Sequence, residues 1–107
     1  MILHNDAVDA ILTRRSIRSY QAKQISEDAL ETILTAGQYA PSGMNQQSAK
    51  AIVVQSKERM QQLVQLAKAA EQVDHNPFYD APTVILVFAD ATQLAPLEDG
   101  CNVLENM

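Results

Sequence analysis

The spacing of apolar residues along the chain changes period several times, and each change marks an element. Residues 6–15 place Val8, Ile11 and Leu12 on one helical face, with Asn5 or Asp6 as the cap. A second helix opens at Ser26, an N-cap followed by Glu27 and Asp28 in the first turn, where the positive end of the helix dipole favours acids. Ile25 and Leu30 occupy the N′ and N4 positions of a hydrophobic staple, and Leu30, Ile33 and Leu34 continue the stripe. The helical period then breaks in "YAPSGMNQQ", residues 39–47. Pro41 biases Ala40 away from helix, and Ser42, Gly43 and Asn45 are turn formers.

"AIVVQ", 51–55, predicts a strand, and 57–72 returns to helical spacing with Met60, Leu63, Val64 and Ala67. "HNPFYDAP", 75–82, reads as a loop. "TVILVFA", 83–89, is apolar on both faces and predicts a central strand. In "LEDGCNVLENM", 97–107, Val103, Leu104 and Met107 share a helical face. That pattern stops without a glycine cap, a basic last turn or a polar tail; a frayed C-terminal helix is one reading, and a helix cut off in mid-course is the one favoured here. Helices and strands intermix, with no internal repeat, low-complexity tract or linker. The expectation is a single α+β domain over residues 1–107.

Composition adds bounds on partners. A chain that is 47% hydrophobic and 20% charged is globular. Eight Lys and Arg stand against thirteen Asp and Glu, and the net charge of −5 argues against nucleic acid or an anionic membrane surface as the main partner. The longest apolar run, Val84 to Ala89, is too short to span a bilayer, and "MILHND" has neither a charged n-region nor a long h-region. Cys101 is the only cysteine, which agrees with a reducing cytoplasm. It reads as a small buried apolar residue rather than a reactive thiol. His4 and His75 lack partners at metal-ligand spacing and are expected on the surface or in a loop. A soluble, cytoplasmic protein is expected.

One stretch departs from the acidic background. "RRSIRSY", 14–20, packs Arg14, Arg15 and Arg18 around Ser16, and no acid lies between Asp9 and Glu27 to neutralise them. A solvated charged face is one reading; an anion site is the other, since guanidinium forks match phosphate oxygens. In a helix, Arg14 and Arg18 would share a face. "APSGMNQQ" adds a loop whose small residues would let backbone N–H groups approach a ligand, although most such loops are only turns. The chain has no P-loop, no dinucleotide glycine fingerprint, no nucleophile–base pair and no zinc motif, so any catalysis would be carried by a cofactor.

Taken together and in this order, the two motifs are specific. "AILTRRSIRSYQAKQISEDALETILTAGQYAPSGMNQQ" resembles the N-terminal region of the nitroreductase family of flavin enzymes, and the likeness continues through "PFYDAPTVILVFAD" to "DGCNVLENM". The resemblance implies an α+β, nitroreductase-like fold with a mixed sheet flanked by helices, and an intertwined homodimer holding FMN at the subunit interface. It implies hydride transfer from NAD(P)H through flavin N5 to a nitroaromatic, quinone or similar acceptor, with no catalytic side chain required. Arg14, Arg15 and Ser16 would contact the FMN phosphate and ribityl chain, and Arg18 the pyrimidine edge of the ring. Pro41, Ser42, Gly43 and Asn45 would approach from the partner subunit, and Asn76 matches an amide that reaches the ring in some members. Two departures stand out: Gln47-Ser48-Ala49 replaces the "QPW" common in the family, and family chains are considerably longer, so the sequence resembles half a nitroreductase. Two other readings follow from the same residues: a non-catalytic flavin-binding or dimerisation fragment, and an anion-binding module without flavin.

Overall fold

A computed structural model describes all 107 residues and contains four α-helices, a short 3-10 turn and two strands. Helix α1, Asp6–Thr13, starts where the Asn5 side chain accepts a hydrogen bond from Val8 N at 2.9 Å, so Asn5 is the cap. It ends two residues before the pattern suggested. Arg14 has extended ψ of 138°, and the Thr13 hydroxyl donates back to the Asp9 carbonyl at 2.6 Å. Arg14 and Arg18 therefore lie outside any helix and share no helical face.

Helix α2, Glu27–Gln38, begins at Ser26, whose Oγ accepts from Ala29 N at 3.2 Å. Leu30, Ile33 and Leu34 are its half-buried stripe, as their spacing requires. A 3-10 turn, Gly43–Asn45, leads to β1, Ala49–Val54. Ser56 caps helix α3, Lys57–Glu71, by accepting from Arg59 N at 3.2 Å, and Gln72 closes it in the left-handed region at φ 56°. Met60, Leu63, Val64 and Ala67 are its half-buried face.

Strand β2, Val84–Ala89, pairs antiparallel with β1 in a register running from Ala49 opposite Ala89 to Val54 opposite Val84. These two strands are the whole sheet. The expectation of a central strand at 83–89 is therefore corrected: β2 has one strand neighbour, and helix α4, Pro96–Asn106, packs against it instead. The apolar residues of β2 are half-buried except Phe88, which is exposed. The sheet is antiparallel, without the parallel pairing that a mixed sheet would need.

Helix α4 starts with proline at its first position, where the missing N–H costs nothing. It crosses α2 at Gly37, the one fully buried residue of that helix. A methyl group there would sit 2.5 Å from Met107 Cε and 3.3 Å from Val103 Cγ1, so glycine sets how closely the helices approach. Asn106 Nδ2 donates to the Ala36 carbonyl at 3.0 Å and fixes the crossing. Only Gly37, Ser48 and Asp99 are fully buried, so packing rests on half-buried side chains rather than a dry core. Cys101 is exposed, not buried as its residue type suggested, because it lies on the side of α4 turned away from α2. His4 and His75 are exposed, as expected. No helix is long and apolar enough to cross a membrane.

Candidate functional site

The arginine segment follows α1 as irregular, exposed chain. Local bonds shape its beginning. Arg15 Nη1 donates to the carbonyls of Leu12 at 2.9 Å and Arg14 at 2.7 Å, which turns its guanidinium back onto the C-terminal end of α1. Tyr20 OH donates to the Ile17 carbonyl at 2.8 Å and closes the next bend. Its far end is moored to β2: Gln24 Nε2 donates to the Pro82 carbonyl at 3.1 Å, and Thr83 joins the side chains of Gln24 and Gln55. No carboxylate pairs with Arg14, Arg15 or Arg18, since His4–Asp9 is the only ion pair in the chain.

Between this segment and β2 lies a cavity of about 840 Å³, a size typical of small-molecule sites. Ser16, Ile17, Arg18 and Tyr20 form one wall; Phe78, Ile85 and Leu104 are among the residues opposite. Its charged lining residues are Arg18 and Lys23, with no acid among them. An apolar space bordered by two cations suits a flat, partly anionic ligand.

The 39–47 break forms a tight loop beside the start of α4. Met44, Asn45 and Gln47 all have φ between 51° and 54°, the left-handed region that non-glycine residues rarely occupy. Gly43 is not in that region; its value is close approach, since a Cβ would meet Ala95 Cβ at 3.3 Å. Two kinds of bond hold the loop. Within it, Gln47 N donates to Ser42 Oγ at 3.0 Å. Across the fold, Leu94 N donates to Gln46 Oε1 at 2.9 Å, and the Asp99 carboxylate accepts from Gly43 N at 2.9 Å and from the Ser48 hydroxyl at 2.8 Å. Asp99 is 2% exposed, and no cation pairs with it.

Asn76 lies elsewhere again. Its Oδ1 accepts from Phe78 N at 2.8 Å and its Nδ2 donates to Asp80 at 2.9 Å, so its amide shapes the 75–82 loop, in which Tyr79 and Asp80 are also left-handed. Of the residues singled out in the sequence, the cavity unites Ser16 and Arg18. Arg14 and Arg15 precede that wall, Pro41, Ser42, Gly43 and Asn45 sit at α4, and Asn76 borders a separate hollow beside α3. Asp99 and Ser48 were missed as a pair. The run "LEDG" announces an acid in a first helical turn, but a contact across 51 residues has no local signature.

The fold and the cavity together define an α+β domain with a pocket of small-molecule size, one wall of which carries Ser16 and Arg18. More specifically, the chain belongs to the nitroreductase family, whose profile matches residues 11–100. An FMN reductase (NAD(P)H) of Bacillus subtilis (strain 168) is 35% identical over 75 residues, covering 70% of this chain and 30% of that protein. A nitroreductase with bound FMN from Bacteroides fragilis NCTC 9343 superposes with a TM-score of 0.89 at 30% identity, over 96% of this chain and 62% of its own. A nitroreductase with bound FMN from Desulfitobacterium hafniense DCB-2 gives 0.81 at 32% identity, over 97% and 63%. The nitroreductase-like fold expected from the sequence is thus the fold observed. The chain spans less than two thirds of the length of each of these relatives.

Proposed function

We propose that this chain binds FMN and acts as an NAD(P)H oxidoreductase of nitroreductase type, with nitroaromatics, quinones or similar compounds as electron acceptors. The observation that carries this reading is the cavity whose wall contains Ser16 and Arg18 and whose only charged side chains are positive. Its chemistry fits the cofactor: apolar and aromatic walls for a planar ring, the Arg18 guanidinium for the ring's polar edge, and the Ser16 hydroxyl on the side from which Arg14 and Arg15 lead in. FMN, when bound, would supply the two-electron chemistry, so no side chain need act as acid, base or nucleophile.

The chain's own residues bind and orient. Arg14 and Ser16 hold the phosphate and ribityl end, and Arg15 joins them by releasing its contacts to the α1 carbonyls. Arg18 faces the pyrimidine edge of the ring, where a fixed cation favours the reduced form electrostatically. Pro41, Ser42, Gly43 and Asn45 complete the site of a second copy in a homodimer, a placement favoured by their position at α4 and away from their own chain's cavity. Any contact from Asn76 uses the N–H that Asp80 leaves free. Work in the reducing cytoplasm suits a chain with one free, exposed thiol.

The absorbance spectrum of the purified chain after incubation with FMN tests the reading. Co-purifying visible absorbance that bleaches on anaerobic addition of NADH or NADPH is the expected result. Bound flavin that neither nucleotide bleaches would mark a non-catalytic flavin-binding chain, and absence of any bound flavin would overturn the proposal.

A further inference from the structure

We infer that Asp99 is a positioning residue for the flavin site, acting by clamping the loop from Gly43 to Ser48; this rests on the FMN reading above. A carboxylate with 2% exposure and no cation beside it is costly unless its oxygens are satisfied. Here one oxygen accepts from Gly43 N at 2.9 Å and the other from Ser48 Oγ at 2.8 Å. Those two donors flank Met44, Asn45 and Gln47, the three left-handed non-glycine residues of the loop. Such conformations persist only where the surroundings over-determine them, and Asp99 ties down both ends.

Other features agree. Asp99 lies in the first turn of α4, where the helix dipole favours a negative charge. The Ser48 carbonyl accepts from Asp90 N at 3.0 Å, so the clamped loop is also pinned to the end of β2. Asp99 thus fixes Ser42, Gly43 and Asn45 on the rigid helix and strand without touching the ligand. A carboxylate suits the task because both partners donate, and it alone among side chains of this length offers two acceptors.

The placement predicts a ligand signature that loss of an arginine would not give. The phosphate is assigned to the arginine segment and not to this loop, so loosening the loop should weaken FMN and riboflavin by the same factor. Flavin fluorescence titrations of the full chain should show Asp99→Ala weakening both by about tenfold or more. Asp99→Asn should stay within about threefold of the parent, because its amide oxygen keeps the Gly43 bond and its NH2 can donate to a turned Ser48 hydroxyl. Amide exchange should rise across Gly43–Gln47 in Asp99→Ala and stay unchanged in α3. Should Asp99→Ala fail to fold, Ser48→Ala decides the matter: it removes one donor and should weaken both flavins equally. Unchanged flavin binding in Asp99→Ala or Ser48→Ala, a loss confined to FMN, or an Asp99→Asn variant as weak as Asp99→Ala would overturn the clamp while leaving the flavin reading standing. A parent chain that binds neither flavin overturns the flavin reading and this proposal with it.

Discussion

Arg14 differs from Arg15 in what its guanidinium is free to do. Arg15 Nη1 already donates to two carbonyls at the end of α1, whereas Arg14 has no side-chain partner in its own chain. Under the proposed function Arg14 is the better phosphate ligand. A charge-assisted bond is worth about 1.5–3 kcal/mol, so Arg14→Ala should weaken FMN by roughly tenfold to 150-fold. Riboflavin lacks the phosphate and should lose far less. Parallel titrations measure the ratio, and equal losses would show that Arg14 does not read phosphate. Asp90 offers a residue-scale prediction independent of any ligand. Hydrogen bonds from the Thr92 hydroxyl at 2.6 Å and its N–H at 2.9 Å, then from Gln93, hold its carboxyl below the ordinary 3.8. A lowered native pKa stabilises the fold fully above pH 3.8, and that contribution fades as pH falls from there through the native value. Thr92→Val should move the Asp90 titration, followed by carboxyl NMR, up toward 3.8.

At the scale of elements, the helix starts were legible because they are local. Asn5 and Ser26 were readable as caps, each accepting from a donor three residues on, a distance over which sequence is informative; Ser56 caps α3 in the same way without having been singled out. The apolar stripes of α2 and α3 were legible for the same reason. What sequence did not convey was long-range. Burial of Asp99, exposure of Cys101 and the single strand neighbour of β2 depend on which face α4 presents. Gly43 could be expected to take the left-handed conformation in its loop, yet Met44, Asn45 and Gln47 take it and Gly43 provides clearance. Gly37 likewise reads as a weak point in a helix but works as a contact. Placing alanine there should gain about 1 kcal/mol of helix propensity and spend a similar amount displacing the Met107 side chain, for little net change. Gly37→Leu cannot be absorbed in that way, because Val103 Cγ1 belongs to a stiff β-branched side chain. It should cost about 1–3 kcal/mol in urea unfolding, with Met107→Ala restoring part. An unchanged midpoint for Gly37→Leu would show that α2 and α4 are not held in close contact.

For the molecule as a whole, surface area carries the argument. The chain exposes 8548 Å², whereas a compact monomer of 11.8 kDa would expose roughly 5,900 Å². Its radius of gyration is 15.8 Å against about 13 Å for a compact domain of this length. The excess area far exceeds the roughly 800 Å² per partner of a standard interface. Much of it is apolar: Ile11, Leu12, Leu66, Leu94 and Leu97 are 48–74% exposed. Apolar surface of this extent calls for cover, and the proposed shared flavin site assigns part of that cover to a second copy. The chain should therefore give a light-scattering mass of at least twice 11.8 kDa at micromolar concentration. Folding and association should also be coupled, so the thermal midpoint should rise with protein concentration. A folded monomer whose midpoint ignores dilution would remove the support for sites shared between two copies, and with it the role proposed for Pro41, Ser42, Gly43 and Asn45.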